Sequence, residues 1–427
     1  MFVHRQKELT LLEDAYNSVS SEFQIIYGQK SSGKTALLNY FLQDKKRLYF
    51  SSYEMIPSLF FTQMANKISQ YFYQTPYIHT INSFEEVLLL IYKAPINDRL
   101  ILVFDDFSKI INVDKDALNQ LLSYWKKKLS KKNIHLIISS SIMFDSKISA
   151  QYIQLEALPF SVLNTFFPTL SKLDQLYLYS LLGTSAKYLK FYNVKKDFTQ
   201  NLYNLFLAHN GYLSTLGIDL LKSELAEIGT YGSILYVIAQ GKTKIGDIAL
   251  ALDLKSTYLT RYLQKLINMM IIKKIVPINE DIKKSKYGRY VICDNAIKFW
   301  FSYIYTNITS LREMDYQVVT KLIQESFVTQ TIALNYKEAI KEYIYLHQEK
   351  IFGYKPIHIG SWWDNSDNMI DIVAYNRKTI TFVQVYWEDK DMAKIQYGDL
   401  KRVSEKFNSN LQKKYIIVTK ESLFNLQ

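Results

Sequence analysis

Gly28-Gln29-Lys30-Ser31-Ser32-Gly33-Lys34-Thr35 constrains this chain more than any other stretch, because it meets the pattern G-x-x-x-x-G-K-[ST] at every defined position. Two glycines let the backbone curl so that successive N–H groups point at one anion. A lysine at position 34 can reach the distal phosphates of a nucleotide, and the Thr35 hydroxyl can reach Mg²⁺. The flanks agree. Phe23 to Tyr27 reads as a buried strand, and Ala36 to Leu42 reads as a helix whose N-terminus adds partial positive charge. A Gly/Ser-rich turn arising by chance would have neither flank.

A second element points the same way. Leu100 to Phe104 is a continuous apolar run, as a parallel strand buried on both faces requires, and it ends in Asp105-Asp106. After a phosphate-binding loop, the first acid at such a strand end is expected to hold Mg²⁺ and the second to polarise the attacking water. The apolar strand His135 to Ile138 ends in Ser139-Ser140-Ser141. This is either a polar sensor of the terminal phosphate or a serine-rich turn.

Charge narrows the partners. The 427 residues carry a formal net charge of +12, which favours polyanions. Eleven Lys/Arg against four Asp/Glu fall between Gly241 and Tyr290, so much of the excess sits in one segment. Lys126-Lys127-Lys128 with Lys131-Lys132 reads as a solvated surface. A hydrophobic content of 48% supplies real cores and excludes a disordered chain. No apolar run approaches the ~18 residues that span a bilayer, and the charged start is unlike a signal peptide. The single Cys293 excludes an internal disulfide. Together these lead to an expected cytoplasmic location with no membrane partner.

Five regions are expected. Residues 1–155 alternate strands (23–27, 47–51, 100–104, 134–140, 152–155) and helices, the α/β pattern of a parallel sheet. Residues 156–225 read as a helical lid. In 226–305, helices at 231–239, 244–249 and 257–269 precede strands at 271–276 and 287–292, the order of a winged helix-turn-helix. Its third helix carries Lys255, Thr257, Tyr258, Arg261 and Lys265, and its wing carries Lys283, Lys284 and Lys286. These cations suit phosphates of duplex DNA; the other use of such a module is as an intramolecular lid or a protein contact. Residues 306–350 read as connecting helices. Residues 351–427 return to strands at 369–375, 379–387 and 415–419.

This order of motifs resembles the archaeal-type P-loop ATPases, which are related to AAA+ and STAND proteins. Phe2 to Leu9 is similar to that family's F-[VI]-x-R-x-x-E-L, which implies that Arg5 lies on the adenine side of the nucleotide. Gly183-Thr184-Ser185-Ala186-Lys187-Tyr188-Leu189 resembles G-G-x-P-x-Y-L, Asp294 to Phe301 resembles D-P-x-x-x-F-W-F, and Ile359 to Trp363 resembles I-G-x-W-W. The resemblance implies ATP and Mg²⁺ as ligands. The loop from Gly28 to Thr35 and Ala36 would bind the nucleotide, Thr35 and Asp105 the metal, with Lys34 and Asp106 catalytic.

The departures are informative. Asp106 stands where the family has Glu, which is one methylene longer and reaches roughly 1.5 Å further; hydrolysis is therefore expected to be slow. Thr184 and Ala186 replace a glycine and a proline. The tail resembles a restriction-endonuclease-like fold in which Asp371 has the acidic position but Gln384-Val385-Tyr386 occupies the place of E-x-K. A neutral amide anchors Mg²⁺ poorly and a tyrosine carries no cation, so no DNA cleavage is expected; Glu388 and Lys390 lie two residues out of place. Trp362 and Trp363 read as core or domain-contact aromatics. The expected function is a slow Mg-ATPase coupled to duplex DNA, the alternative a non-hydrolysing ATP-gated switch that binds a protein partner.

Overall fold

The computed structural model describes residues 4–51, 55–144, 148–222, 225, 227–388 and 393–425. The chain divides into two compact units, one of residues 1–156 with 268–270, the other of residues 157–267 with 271–427.

The first unit is built on five parallel strands: β1 (Glu22–Gly28), β2 (Arg47–Ser51), β3 (Leu100–Asp105), β4 (Ile134–Ser140) and β5 (Gln151–Leu155). Their spatial order is β2-β3-β4-β1-β5. Every residue of β3 and β4 is buried, which is why both read as unbroken apolar runs. One face packs Phe50, Phe84, Phe104 and Phe107; the other packs Leu37, Leu38, Phe41 and Ile137. His135 is buried inside this sheet with its Nε2 2.7 Å from Gln24 Oε1. Burial, helped by Arg99, pushes its pKa down to about 3, so it is a neutral core residue.

In the second unit the helices Ile228–Ala239, Ile245–Ala251 and Ser256–Asn268 precede an antiparallel ribbon, β6 (Ile272–Ile275) with β7 (Arg289–Ile292). The third helix starts at Ser256, one residue before the expected start. The C-terminal sheet holds β8 (His358–Trp363), β9 (Met369–Tyr375), β10 (Thr379–Val385) and β11 (Gln412–Val418) in the order β11-β10-β9-β8. β10 and β11 run parallel and the other pairs antiparallel. The Ile359–Trp363 motif is thus an edge strand, which its half-buried residues obscured in the sequence.

The helix Ala333–Leu346 carries a half-buried acid. Glu342 accepts hydrogen bonds from Phe160 N–H at 2.7 Å and from Tyr179 Oη at 3.1 Å. Burial pushes its carboxyl up from 4.5 to about 7. A raised folded-state pKa stabilises the fold fully below about pH 4.5, and that contribution is lost as pH rises through about 7. Glu342 is therefore expected to cost the second unit about 3 kcal/mol between pH 4.5 and 7.5. Denaturant unfolding across that range checks this, and Glu342→Gln should flatten the slope.

Candidate functional site

β1 ends in Gly28, and the chain turns at once. A Cβ at Gly28 would lie 2.7 Å from Leu155 O and 2.7 Å from Ser32 Oγ, so only glycine fits. Ser31 (φ 78°) and Gly33 (φ 94°) take left-handed conformations, and the helix Lys34–Phe41 follows directly. This alternation aims backbone N–H groups into one concavity. Lys34 Nζ donates to Gly28 O at 2.8 Å and to Gln29 O at 3.0 Å. Gln29 Nε2 and Ser32 Oγ are buried without a hydrogen-bond partner among the described residues. Orphaned donors in a cradle of this kind fit an acceptor-rich ligand such as a phosphate chain.

Asp105, at the end of β3, is 7% exposed. Its Oδ2 accepts from Thr35 Oγ1 at 2.9 Å and from Tyr49 Oη on β2. Its Oδ1 accepts from Ser139 Oγ at the end of β4. Ser139 Oγ in turn accepts the Asp106 backbone N–H at 2.8 Å. Ser139 therefore acts as a brace between two strand ends and holds both acids. A carboxylate beside the threonine hydroxyl, both oxygen donors, is the ligand set that suits Mg²⁺. Asp106 takes a left-handed conformation (φ 56°) at the head of the helix Phe107–Val113. Its oxygens are engaged locally: Ser108 Oγ donates to Oδ1 at 2.8 Å and Lys109 Nζ lies 3.3 Å from Oδ2.

Arg5 is 8% exposed and ties the N-terminal segment to the loop. It donates to Ser32 O at 3.2 Å and Glu156 O at 2.7 Å, and pairs with Glu8 at 3.0 Å. Lys30 is half-buried in the loop. Phe2 and Val3 of the opening motif lie outside the described residues. Sequence reasoning missed Tyr49, because only strand pairing (Ser51 with Asp105) reveals that β2 flanks β3.

The remaining expected residues lie in the second unit. Lys255, just before the third helix, and Thr257 and Arg261 on it are exposed and Lys265 is half-buried; Lys283, Lys284 and Lys286 are exposed between β6 and β7. The Arg261 guanidinium lies 4.5 Å from the Tyr258 ring centroid and 4.8 Å from that of Tyr262. Thr184 Oγ1 donates to Leu158 O at 2.6 Å, so its hydroxyl is used within the fold. Asp294 caps the helix Asn295–Phe299 by accepting Ile297 N–H at 3.0 Å. Asp371 is fully buried. Its Oδ2 accepts from Val385 N–H at 2.9 Å and lies 3.2 Å from Lys337 Nζ. Lys341 Nζ is 4.0 Å from Oδ1. Gln384 Oε1 accepts the Asp371 N–H at 3.1 Å. Lys390 lies outside the described residues.

A parallel sheet with this strand order and a phosphate-binding turn after β1 defines the P-loop NTPase fold. Residues 2–190 match the model of an ATPase domain found predominantly in Archaea. The N-terminal region is thus similar to that archaeal ATPase domain and has the P-loop NTPase fold. Residues 300–403 match the model of archaeal and bacterial proteins of unknown function. An uncharacterized protein of Methanocaldococcus jannaschii is 29% identical over 440 residues, covering 99% of this chain and 96% of that one. An uncharacterized ATP-binding protein of the same organism is 44% identical over 46 residues, 11% of this chain and 78% of that one. The solved Walker-type ATPase of Pyrococcus abyssi shares the fold with a TM-score of 0.50 at 15% identity, over 70% of this chain and 96% of that one. Among the described residues no helix is long and apolar enough to cross a membrane.

Proposed function

We propose that this chain binds Mg-ATP, hydrolyses it slowly and couples nucleotide state to duplex DNA through a winged helix in residues 226–305. The 2.9 Å contact between Thr35 Oγ1 and Asp105 Oδ2 carries the reading. It joins the phosphate-binding turn to the acidic strand end, as a shared Mg²⁺ requires. Lys34 would leave the loop carbonyls for the β- and γ-phosphates. Backbone N–H groups from Gln29 to Ala36 would cradle the phosphates. Thr35 and Asp105 would hold Mg²⁺, which neutralises charge on the transferring phosphoryl group. Asp106 would orient water, and Arg5 would order the adenine side. Lys255, Thr257, Arg261, Lys265, Lys283, Lys284 and Lys286 would meet DNA phosphates. Three helices followed by an antiparallel ribbon support the winged-helix part.

A second reading is a non-hydrolysing, ATP-gated switch that binds a protein partner. The engagement of both Asp106 oxygens by Ser108 and Lys109 favours it. ATP turnover by the full chain, with and without duplex DNA, separates the two. Asp106→Glu is expected to raise turnover about tenfold, because a misplacement of about 1 Å costs on the order of a hundredfold. Glu at a positive φ costs roughly 1–2 kcal/mol of stability, which leaves turnover readable. Tight ATP binding without turnover in either protein would favour the switch.

A further inference from the structure

The ribbon formed by β6 and β7 is built into the C-terminal sheet. Ile278 N–H, just past β6, donates to Ser361 O at 2.7 Å on the edge strand β8. Its side chain packs over Gly360, where an added Cβ would lie 3.3 Å from Ile278 Cβ, and joins the cluster around Phe382. Asn279 Oδ1 accepts from Tyr375 Oη at the end of β9. On the returning arm, Trp363 Nε1 donates to Tyr287 O at 2.9 Å. The Arg289 guanidinium lies 5.0 Å from the Trp363 ring, and Asp367 pairs with Lys244 at 2.9 Å and Arg289 at 3.6 Å. A sheet edge is normally a hazard that must be covered; here the ribbon covers it. Sheet and ribbon therefore share a core as one body.

That union carries two sets of cations on one body. The Asn279–Tyr375 contact sets the start of the ribbon loop beside the end of β9, and the turn that follows exposes Arg377 and Lys378. The turn is held by Asn376 Oδ1, which accepts the N–H groups of Lys378 and Thr379 at 2.8 Å each. Lys413, at the start of β11, pairs in register with Ile380, and Gln412 N–H donates to Lys378 O at 3.0 Å. Segments 282–286, 376–379 and 412–414 contain no Asp or Glu. In the ribbon loop Asp281 Oδ1 is used at home, accepting the N–H groups of Lys283 and Lys284 at 2.8 and 3.0 Å.

We propose that Lys283, Lys284, Lys286, Arg377, Lys378 and Lys413 form one composite docking surface for the phosphate backbone of duplex DNA. The proposal rests on the DNA reading above and extends the contact from the winged helix to the C-terminal sheet. The surface serves as a rigid, sequence-independent clamp. Exposed cations on two fused elements match repeating phosphates, and the rigidity lowers the entropy lost on binding.

The test is duplex binding by the full chain across a salt titration, with two unrelated sequences. Each phosphate contact contributes about 0.9 to the slope of log K against log salt. The Arg377→Gln, Lys378→Gln, Lys413→Gln triple variant is expected to lower that slope by about 2 to 3 and to weaken binding at least about tenfold near 0.1 M salt, equally for both sequences. All three side chains are exposed, and an unchanged melting curve confirms that the variant folds. A wild-type slope in this variant, beside loss of binding in Lys255→Gln, Arg261→Gln, overturns the composite surface and leaves the DNA reading standing. Absence of salt-dependent binding by the wild-type chain overturns both.

Discussion

Lys34→Ala is expected to abolish detectable ATP binding and to reduce turnover by at least about a hundredfold to a thousandfold. That is the scale on which removing one preorganised donor to a developing charge acts. The ammonium lies at the mouth of the loop, 2.8 and 3.0 Å from the carbonyls of Gly28 and Gln29. Those contacts hold it close to the curled backbone, and under the proposed function a triphosphate would supply stronger, charge-assisted partners. Alanine removes the only side-chain cation of the loop's G-K-[ST] end and leaves the β- and γ-phosphate charge to backbone N–H groups alone. Lys34→Arg should recover little, because a planar fork does not replace a compact ammonium in a turn this tight. Nucleotide affinity by titration calorimetry and turnover under saturating Mg-ATP measure the two losses separately. Retained affinity in the alanine variant would remove the phosphate role from Lys34.

The second large effect is in the tail. The Lys337→Met, Lys341→Met double variant is expected to lose about 3–5 kcal/mol of stability in the second unit, the usual cost of stranding a buried charge. Asp371 is fully buried, and both lysines come from the helix Ala333–Leu346, one turn apart. Their side chains are themselves only 27% and 12% exposed. Asp371 Oδ1 has no hydrogen-bond partner among the described residues, so the carboxylate depends on these two ammonium groups for compensation. Adding Asp371→Asn should restore most of the loss, since a neutral amide oxygen still accepts the Val385 N–H. Denaturant unfolding followed by tryptophan fluorescence reads this cycle. The expectation that the tail does not cut DNA rests on Gln384 and Tyr386 in place of E-x-K, and the pairing of Asp371 with the two lysines is in line with it. Metal-dependent cleavage by the wild-type chain that Asp371→Ala removes would overturn that expectation.

These two sites were legible to different degrees. The turn from Gly28 to Thr35 was readable because its chemistry is local: the glycines, the lysine and the threonine act within one loop and the helix after it. The strands β3 and β4 were readable because burial on both faces demands largely apolar runs. β8 was not readable as a strand, since an edge strand with half-buried residues carries no such run. Asp105 was identifiable from its place after an apolar strand, but its partners Tyr49 and Ser139 were not equally so. Tyr49 stands on a neighbouring strand, and Ser139 left a sensor and a turn as equal readings until its oxygen was found between the two acids. The lysines that compensate Asp371 gave no signal, because a lysine in a helical pattern reads as a solvated face.

By itself, the sequence determined the phosphate-binding turn, the parallel sheet that holds it, and the absence of the charges that a nuclease strand would need. Such features follow from residue type and short-range spacing. Only the tertiary structure decided which groups orient Asp105, which cations neutralise Asp371, and that the basic ribbon is joined to the C-terminal sheet. Each of these is a contact between residues far apart in the chain. Strand order and packing select the partners at such distances, and short-range spacing in one sequence does not carry them.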